Sequence, residues 1–172
     1  MQQVEQFINY CQKGDLINAK KYFEENPNID IHEIYEYAFR WSCLCGRLEV
    51  AKWLWSLNQN INIHANNEYT FRQSCEFGHL EVAKWLLSLN QNIDIHAKNE
   101  AFRRSCERGR LKFAKWLSTL CDNYYLEHDD NKIIYWKILT EQEIEEKKIF
   151  TKKLNDLANL KIIIDYNTVI EI

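Results

Sequence analysis

Three sets of residues have types and spacings that could do chemistry. His32, His64 and His96 stand 32 residues apart. Cys11, Cys43, Cys75 and Cys106 recur at intervals of 32, 32 and 31. Residues 102–116 hold Arg103, Arg104, Arg108, Arg110, Lys112 and Lys115 against Glu107 alone. The histidines invite a metal reading, but zinc needs its nitrogens about 2.0–2.1 Å away. Equivalent rings one repeat apart are several times too far for a shared ion, so the expectation is a structural histidine bonded to loop backbone. Cys43-x-Cys45 is no better, because residues two apart on a helix point to different sides. No metal site and no cofactor is expected.

The cysteines read as structural for a geometric reason. Packed helices lie roughly 8–10 Å apart, whereas a disulfide needs Cα atoms within about 7 Å. In-register cysteines are therefore small buried hydrophobes at tight helix contacts, which fits a reducing, intracellular setting. The basic cluster has two readings. Arg103, Arg104 and Arg110, with Arg108, could be a docking patch for nucleic acid or an acidic partner. The other reading is a solvated face, partly neutralised by Asp122, Glu127, Asp129 and Asp130. No aromatic residues interleave the cluster for base stacking, so nucleic acid is the weaker occupant. There is no glycine-rich phosphate loop, no Gly-x-Ser-x-Gly and no His-Glu-x-x-His. The expectation is a protein without catalytic activity.

The elements that carry these residues are written in the sequence as a repeat. Phe71-Arg72-Gln73-Ser74-Cys75, then Gly78, then Leu80-Glu81-Val82-Ala83-Lys84-Trp85-Leu86, reads as helix, glycine stop, helix. The phrase recurs at Phe39 to Leu54 and at Phe102 to Leu117, and a worn copy opens the chain with Phe7, Cys11, Gly14, Leu16, Ala19 and Lys20. A period in this range means a stacked array. In the second helices one polar line repeats: Glu49, Lys52, Ser56; Glu81, Lys84, Ser88; Lys112, Lys115, Thr119. The rest of those helices is largely apolar, as expected of helices buried on all sides but one. Where the second copy has Val50, Trp53 and Leu57, the first has Asn18, Lys21 and Glu25, the pattern of a polar terminal cap. Asn60-Ile61-Asn62-Ile63-His64 and its two counterparts alternate with period two, so these loops are extended, their isoleucines pinning them to the stack.

Past Leu120 the pattern fades. Asp129 to Leu139 is read as an altered first helix with Ile134 and Ile138 in the Phe and Cys slots. Thr140 and Glu143 form a capping box for a helix over roughly 141–160. Residues 161–172 read as a short hairpin or a packed terminal helix turn. The 172 residues suffice for one continuous core, and a net charge of −3 gives no field pointing to nucleic acid or anionic membrane. No apolar run resembles a signal peptide or a membrane helix.

The period, the helix–Gly–helix unit and the run Gly78-His79-Leu80-Glu81-Val82-Ala83-Lys84-Trp85-Leu86-Leu87 resemble ankyrin repeats. The Ile-Asp-Ile-His loops and Phe-Arg-x-Ser-Cys helices look most like the large ankyrin sets encoded by giant DNA viruses of amoebae. The family's Thr-Pro-Leu-His opening is replaced here by Tyr69-Thr70-Phe71-Arg72, and its usual loop glycine by Asn67. The resemblance implies an all-α solenoid over residues 1–172, with repeats at about 2–31, 32–63, 64–95 and 96–120 and a divergent C-terminal cap over 121–172. It implies a monomeric, intracellular protein acting in host cytoplasm, which binds a host or viral protein partner through a concave face, with no membrane. Carried over by position, that face holds Glu33, Ile34, Glu36, Leu44 and Cys45. The next repeats contribute Ala65, Asn66, Glu68, Glu76 and Phe77, then Ala97, Lys98, Glu100, Glu107 and Arg108. Ile34, Leu44 and Phe77 are the expected apolar anchors.

Overall fold

Each helix–Gly–helix phrase folds around a left-handed glycine. At Gly46 (φ 71°) the amide donates to Cys43 O at 3.1 Å, and the next amide, Arg47, donates to Ser42 O at 2.7 Å. This pair of bonds closes the helix end while only glycine takes the conformation without strain. The same two bonds recur around Gly78, from Gly78 to Cys75 and from His79 to Ser74. The serine of the Phe-Arg-x-Ser-Cys phrase is fully buried, and its hydroxyl donates back one turn, Ser42 to Ala38 O at 2.7 Å and Ser74 to Thr70 O at 2.9 Å. A buried hydroxyl is thereby satisfied without a partner from another helix.

The computed structural model describes residues 2–27, 31–57, 60–89 and 92–159, the side chains of 2–3, 31–35, 98 and 156–159 excepted. The described residues form α1 (Gln2–Lys13), α2 (Leu16–Glu25), α3 (Ile31–Leu44), α4 (Leu48–Leu57), α5 (Ala65–Phe77) and α6 (Leu80–Ser88). A single 3₁₀ turn (Ala97–Asn99) precedes α7 (Glu100–Glu107) and α8 (Leu111–Leu120), then come β1 (Tyr124–His128), β2 (Ile133–Ile138) and α9 (Glu141–Asn159). The first helices pack in order, α1 on α3, α3 on α5 and α5 on α7, and each pairs with its own second helix. The readings of residues 161–172 lie outside the described residues.

The repeat columns become the core. Phe7, Phe39, Phe71 and Phe102 are buried, with Cys11, Cys43, Cys75 and Cys106 one turn on. All four cysteines are free. Burial pushes the Cys11 thiol up to about 12, which suits a packing residue rather than a nucleophile. The tryptophan of the Ala-Lys-Trp-Leu phrase in α4, α6 and α8 reaches back to the preceding pair. Trp53 meets Phe7 and Phe23 at ring-centroid distances of 6.2 and 6.0 Å. Trp85 meets Phe39 at 6.0 Å, and Trp116 meets Phe71 at 6.4 Å. Asn18, Lys21 and Glu25, at the matching face of the first pair, are exposed. The line Glu49, Lys52, Ser56 is exposed too, and Lys52 bonds Glu49 at 3.1 Å.

The all-α expectation needs one correction. Residues 129–139 are not a first helix. Ile133 to Ile138 is β2, paired antiparallel with β1 in the register Tyr124↔Ile138 to Glu127↔Tyr135, with a bulge before His128. The run Ile-Ile-Tyr-Trp-Lys-Ile is β-branched and aromatic, which favours a pleated strand. Asp129 sets the turn by accepting the Asn131 and Lys132 amides, both at 2.8 Å. The hairpin then covers the open end of the array. Tyr124 stacks on Phe102 at 4.2 Å with rings 2° from parallel, and Trp136 meets Phe102 edge-on at 6.1 Å. The capping box forms as read: the Thr140 amide donates to Glu143 Oε2 at 2.9 Å and the Glu143 amide to Thr140 Oγ1 at 3.3 Å.

Candidate functional site

The loops between pairs are held by carboxylates from the preceding pair. Asn62 N donates to Glu36 Oε1 at 3.4 Å, and Asp94 N donates to Glu68 Oε1 at 3.4 Å. Asn62 and Asp94 each bend their own loop, accepting the amides of His64 (3.0 Å) and His96 (2.8 Å). Ile61 and Ile63 are buried beneath. His64 and His96 are engaged by side chains rather than by the loop backbone expected, and the side chain of His32 lies outside the described residues. His64 Nδ1 lies 2.7 Å from Glu68 Oε1, and His96 Nδ1 lies 3.2 Å from the Tyr124 hydroxyl. Among the described residues no group of three or more His, Cys, Asp or Glu side chains is placed to hold a metal ion.

Glu68 therefore does not belong to an exposed face. It is 6% exposed and serves the loop and His64. It also ends a run of three left-handed residues, Asn66, Asn67 and Glu68, with φ of 56°, 56° and 60°. Consecutive left-handed residues are costly outside glycine, and a buried arginine holds them. Arg72 Nε donates to Asn67 O at 2.7 Å and its Nη2 to Asn66 O at 2.9 Å. Its remaining Nη1 pairs with Glu100. Asn66 itself is exposed.

Three arginines of the basic cluster are neutralised from inside the array, while Asp129 of the following loop interacts electrostatically with Lys115. Glu76, 5% exposed, receives Arg104 Nη1 at 2.9 Å and Arg108 Nη2 at 2.8 Å. Arg103 bonds Glu107 at 3.0 Å and lies 3.9 Å from Glu100. Arg110 Nε donates to Glu76 O at 3.5 Å, its stem lying over Gly78. Arg103, Arg104 and Arg108 thus each have a carboxylate already. Glu76 also corrects its own assignment to the exposed face. It and its arginines close the surface between α5 and α7.

The equivalent surface between α3 and α5 is open. Tyr37, Arg40, Trp41, Leu44 and Tyr69 line a cleft of about 150 Å³. Tyr37 and Tyr69 are 45% and 38% exposed, and Trp41 stands edge-on to Tyr37 at 6.0 Å. Leu44 lies here as expected. Phe77, at the end of α5, is 41% exposed. Glu36 is half-buried and engaged with its loop, while Glu107 is exposed but paired. Ile34 lies in α3 and Lys98 in the 3₁₀ turn, and their side chains lie outside the described residues. Sequence reading missed Tyr37, Arg40, Trp41 and Tyr69. The available signals were the recurrence of tyrosine at 37 and 69 and a tryptophan in the variable slot of the Phe-Arg-x-Ser-Cys phrase. Among the described residues no helix is long and apolar enough to cross a membrane. The chain matches no protein-family model and no curated protein.

Proposed function

We propose that the chain is a non-catalytic protein-recognition module of the ankyrin-repeat type, its stacked helix pairs forming a solenoid whose first-helix surface docks a partner protein. The observation that carries this reading is the open aromatic cleft between α3 and α5, with Phe77 exposed at the end of α5. Aromatic side chains in a shallow, half-desolvated recess are the anchors that dominate protein interfaces. A rigid array with satisfied loops limits the entropy lost on binding. The repeat phrases support the family, and their viral style supports an intracellular monomer that engages a host or viral protein in host cytoplasm. The alternative, docking of nucleic acid on the basic cluster, is disfavoured because Arg103, Arg104 and Arg108 are already paired with Glu76, Glu100 and Glu107.

A quantitative pull-down from amoebal lysate tests the reading, comparing the intact chain with Leu44→Glu, Phe77→Glu and the surface control Lys52→Glu. The expected outcome is a protein retained by the intact chain and the control but lost with Leu44→Glu. Capture that is indifferent to both Leu44→Glu and Phe77→Glu would move the site elsewhere.

A further inference from the structure

Arg40, Arg72 and Arg103 follow the core phenylalanine in three successive repeats, so they occupy one slot. Two of them are consumed. Arg72 is buried against Glu100 and the Asn66 and Asn67 carbonyls. Arg103 is paired with Glu107 and Glu100. Arg40 differs. Its Nε donates to Glu36 O at 3.2 Å, and no carboxylate among the described residues pairs with it. Glu36, one turn before it, is turned to the Asn62 amide. The half-buried Arg40 guanidinium therefore lines an aromatic cleft with its two terminal nitrogens unclaimed among the described residues.

Resting on the docking function above, we propose that this cleft recognises a linear peptide segment carrying a carboxylate beside a bulky apolar side chain. Three observations select that occupant. The charge is a single arginine, whose planar fork matches one carboxylate in two parallel hydrogen bonds. The recess of about 150 Å³ is smaller than the roughly 300–1,000 Å³ of small-molecule pockets. It suits one inserted side chain walled by Tyr37, Trp41, Leu44 and Tyr69. A nucleic acid strand would need a track of free cations, and the neighbouring arginines are already paired with Glu76, Glu100 and Glu107. The carboxylate binds Arg40, the apolar side chain fills the recess, and their short separation sets the register of the segment.

The test is selection of a phage-displayed random peptide library on the full chain, followed by fluorescence polarisation of the best labelled peptide. Selected sequences are expected to share Asp or Glu within about two residues of Leu, Phe or Trp. Arg40→Gln weakens binding about tenfold or more, the scale of one charge-assisted contact. Replacing the peptide's acidic residue by its amide has the same effect on the native chain and little further effect on Arg40→Gln. That peptide arm holds even if the Arg40 variant folds poorly. Reselection on Arg40→Glu returns Lys or Arg in the acidic place. Peptides without a shared acid, or binding indifferent to both Arg40→Gln and the amide peptide, overturn this inference. If Leu44→Glu still abolishes binding in that case, the docking function stands without it. Failure to select any peptide overturns this inference and leaves the docking function to the pull-down, whereas binding indifferent to Leu44→Glu and Phe77→Glu as well removes both. A labelled oligothymidine that competes with the peptide and is lost with Arg40→Gln would instead assign the cleft to single-stranded nucleic acid and overturn the peptide.

Discussion

The step from α3 to α5 and the step from α5 to α7 use the same slots for opposite purposes. Below, they are alike: Trp85 reaches Phe39 across the first and Trp116 reaches Phe71 across the second. Above, they diverge. Leu44 and Glu76 occupy one slot, Trp41, Gln73 and Arg104 another, in helices that end on the same glycine motif. At the second step Glu76 gathers Arg104 and Arg108 and the surface is closed by ion pairs. At the first, no carboxylate among the described residues pairs with the Arg40 that lines the aromatic recess, and a cleft remains. The difference teaches that a repeat surface has no function by position alone. A slot is available to a partner only where the adjacent repeat does not use it.

The largest expected effect sharpens what the two steps share. Trp85→Ala and Trp116→Ala should each cost about 3–5 kcal/mol, the usual range for deleting a packed tryptophan. Urea unfolding of the two variants checks this. A large inequality between them would show that the aromatic layer is not common to both steps. The next effect breaks the comparison where it diverges. Glu76→Ala should cost about 2–3 kcal/mol, below the roughly 3–5 for a fully buried pair because both guanidiniums keep water access. Leu44→Ala in the same slot should cost only about 1 kcal/mol, because its side chain is half exposed. Raising salt from 0.1 to 1 M shortens screening from about 10 to about 3 Å, so the Glu76 penalty should shrink and the Leu44 penalty should not. Equal penalties, equally indifferent to salt, would erase the distinction.

The smallest effect is a pH dependence confined to the first step. Arg47, His79 and Arg110 lie in one slot, over Gly14, Gly46 and Gly78 respectively. Only the middle one titrates near neutrality. Burial holds the His79 imidazole below its ordinary 6.5, opposed by its bond to the Leu44 backbone and assisted by Arg110 and Arg47. The unfolded chain therefore takes up that proton more readily than the folded one. The stability from the neutral ring is present above pH 6.5 and lost as pH falls through the lower, folded value. Thermal unfolding from pH 7.5 downwards should show this slope in the intact chain and a shallower one in His79→Arg, whose charge does not change. An unaltered slope would assign the titration to another group.

The capping of the two ends was unequally legible. Asn18, Lys21 and Glu25 announced an exposed first face by substituting polar for apolar residues at known slots, and they are exposed. The far end departs from the repeat register, residues 129–139 forming a turn and a strand where the repeat would place a first helix. Their β-branched, aromatic run pointed to a strand, and the partner strand that makes it one begins at Tyr124. Thr140 and Glu143 were legible because a capping box is complete within four residues.

What the sequence by itself determined was everything governed by local periodicity: the helix pairs, the glycine stops, the buried serine, cysteine and phenylalanine columns, and the loops bent by Asn62 and Asp94. These need only backbone geometry and the spacing of apolar side chains. Tertiary structure alone decided which polar residues are spent. Glu68 and Asp94 are separated by 26 residues, Glu76 and Arg108 by 32. Such pairs form only when neighbouring helices bring the groups within hydrogen-bond reach. The same packing left Arg40 without a carboxylate partner among the described residues, because an electrostatic pairing depends on distance between elements and not on the order of residues within one.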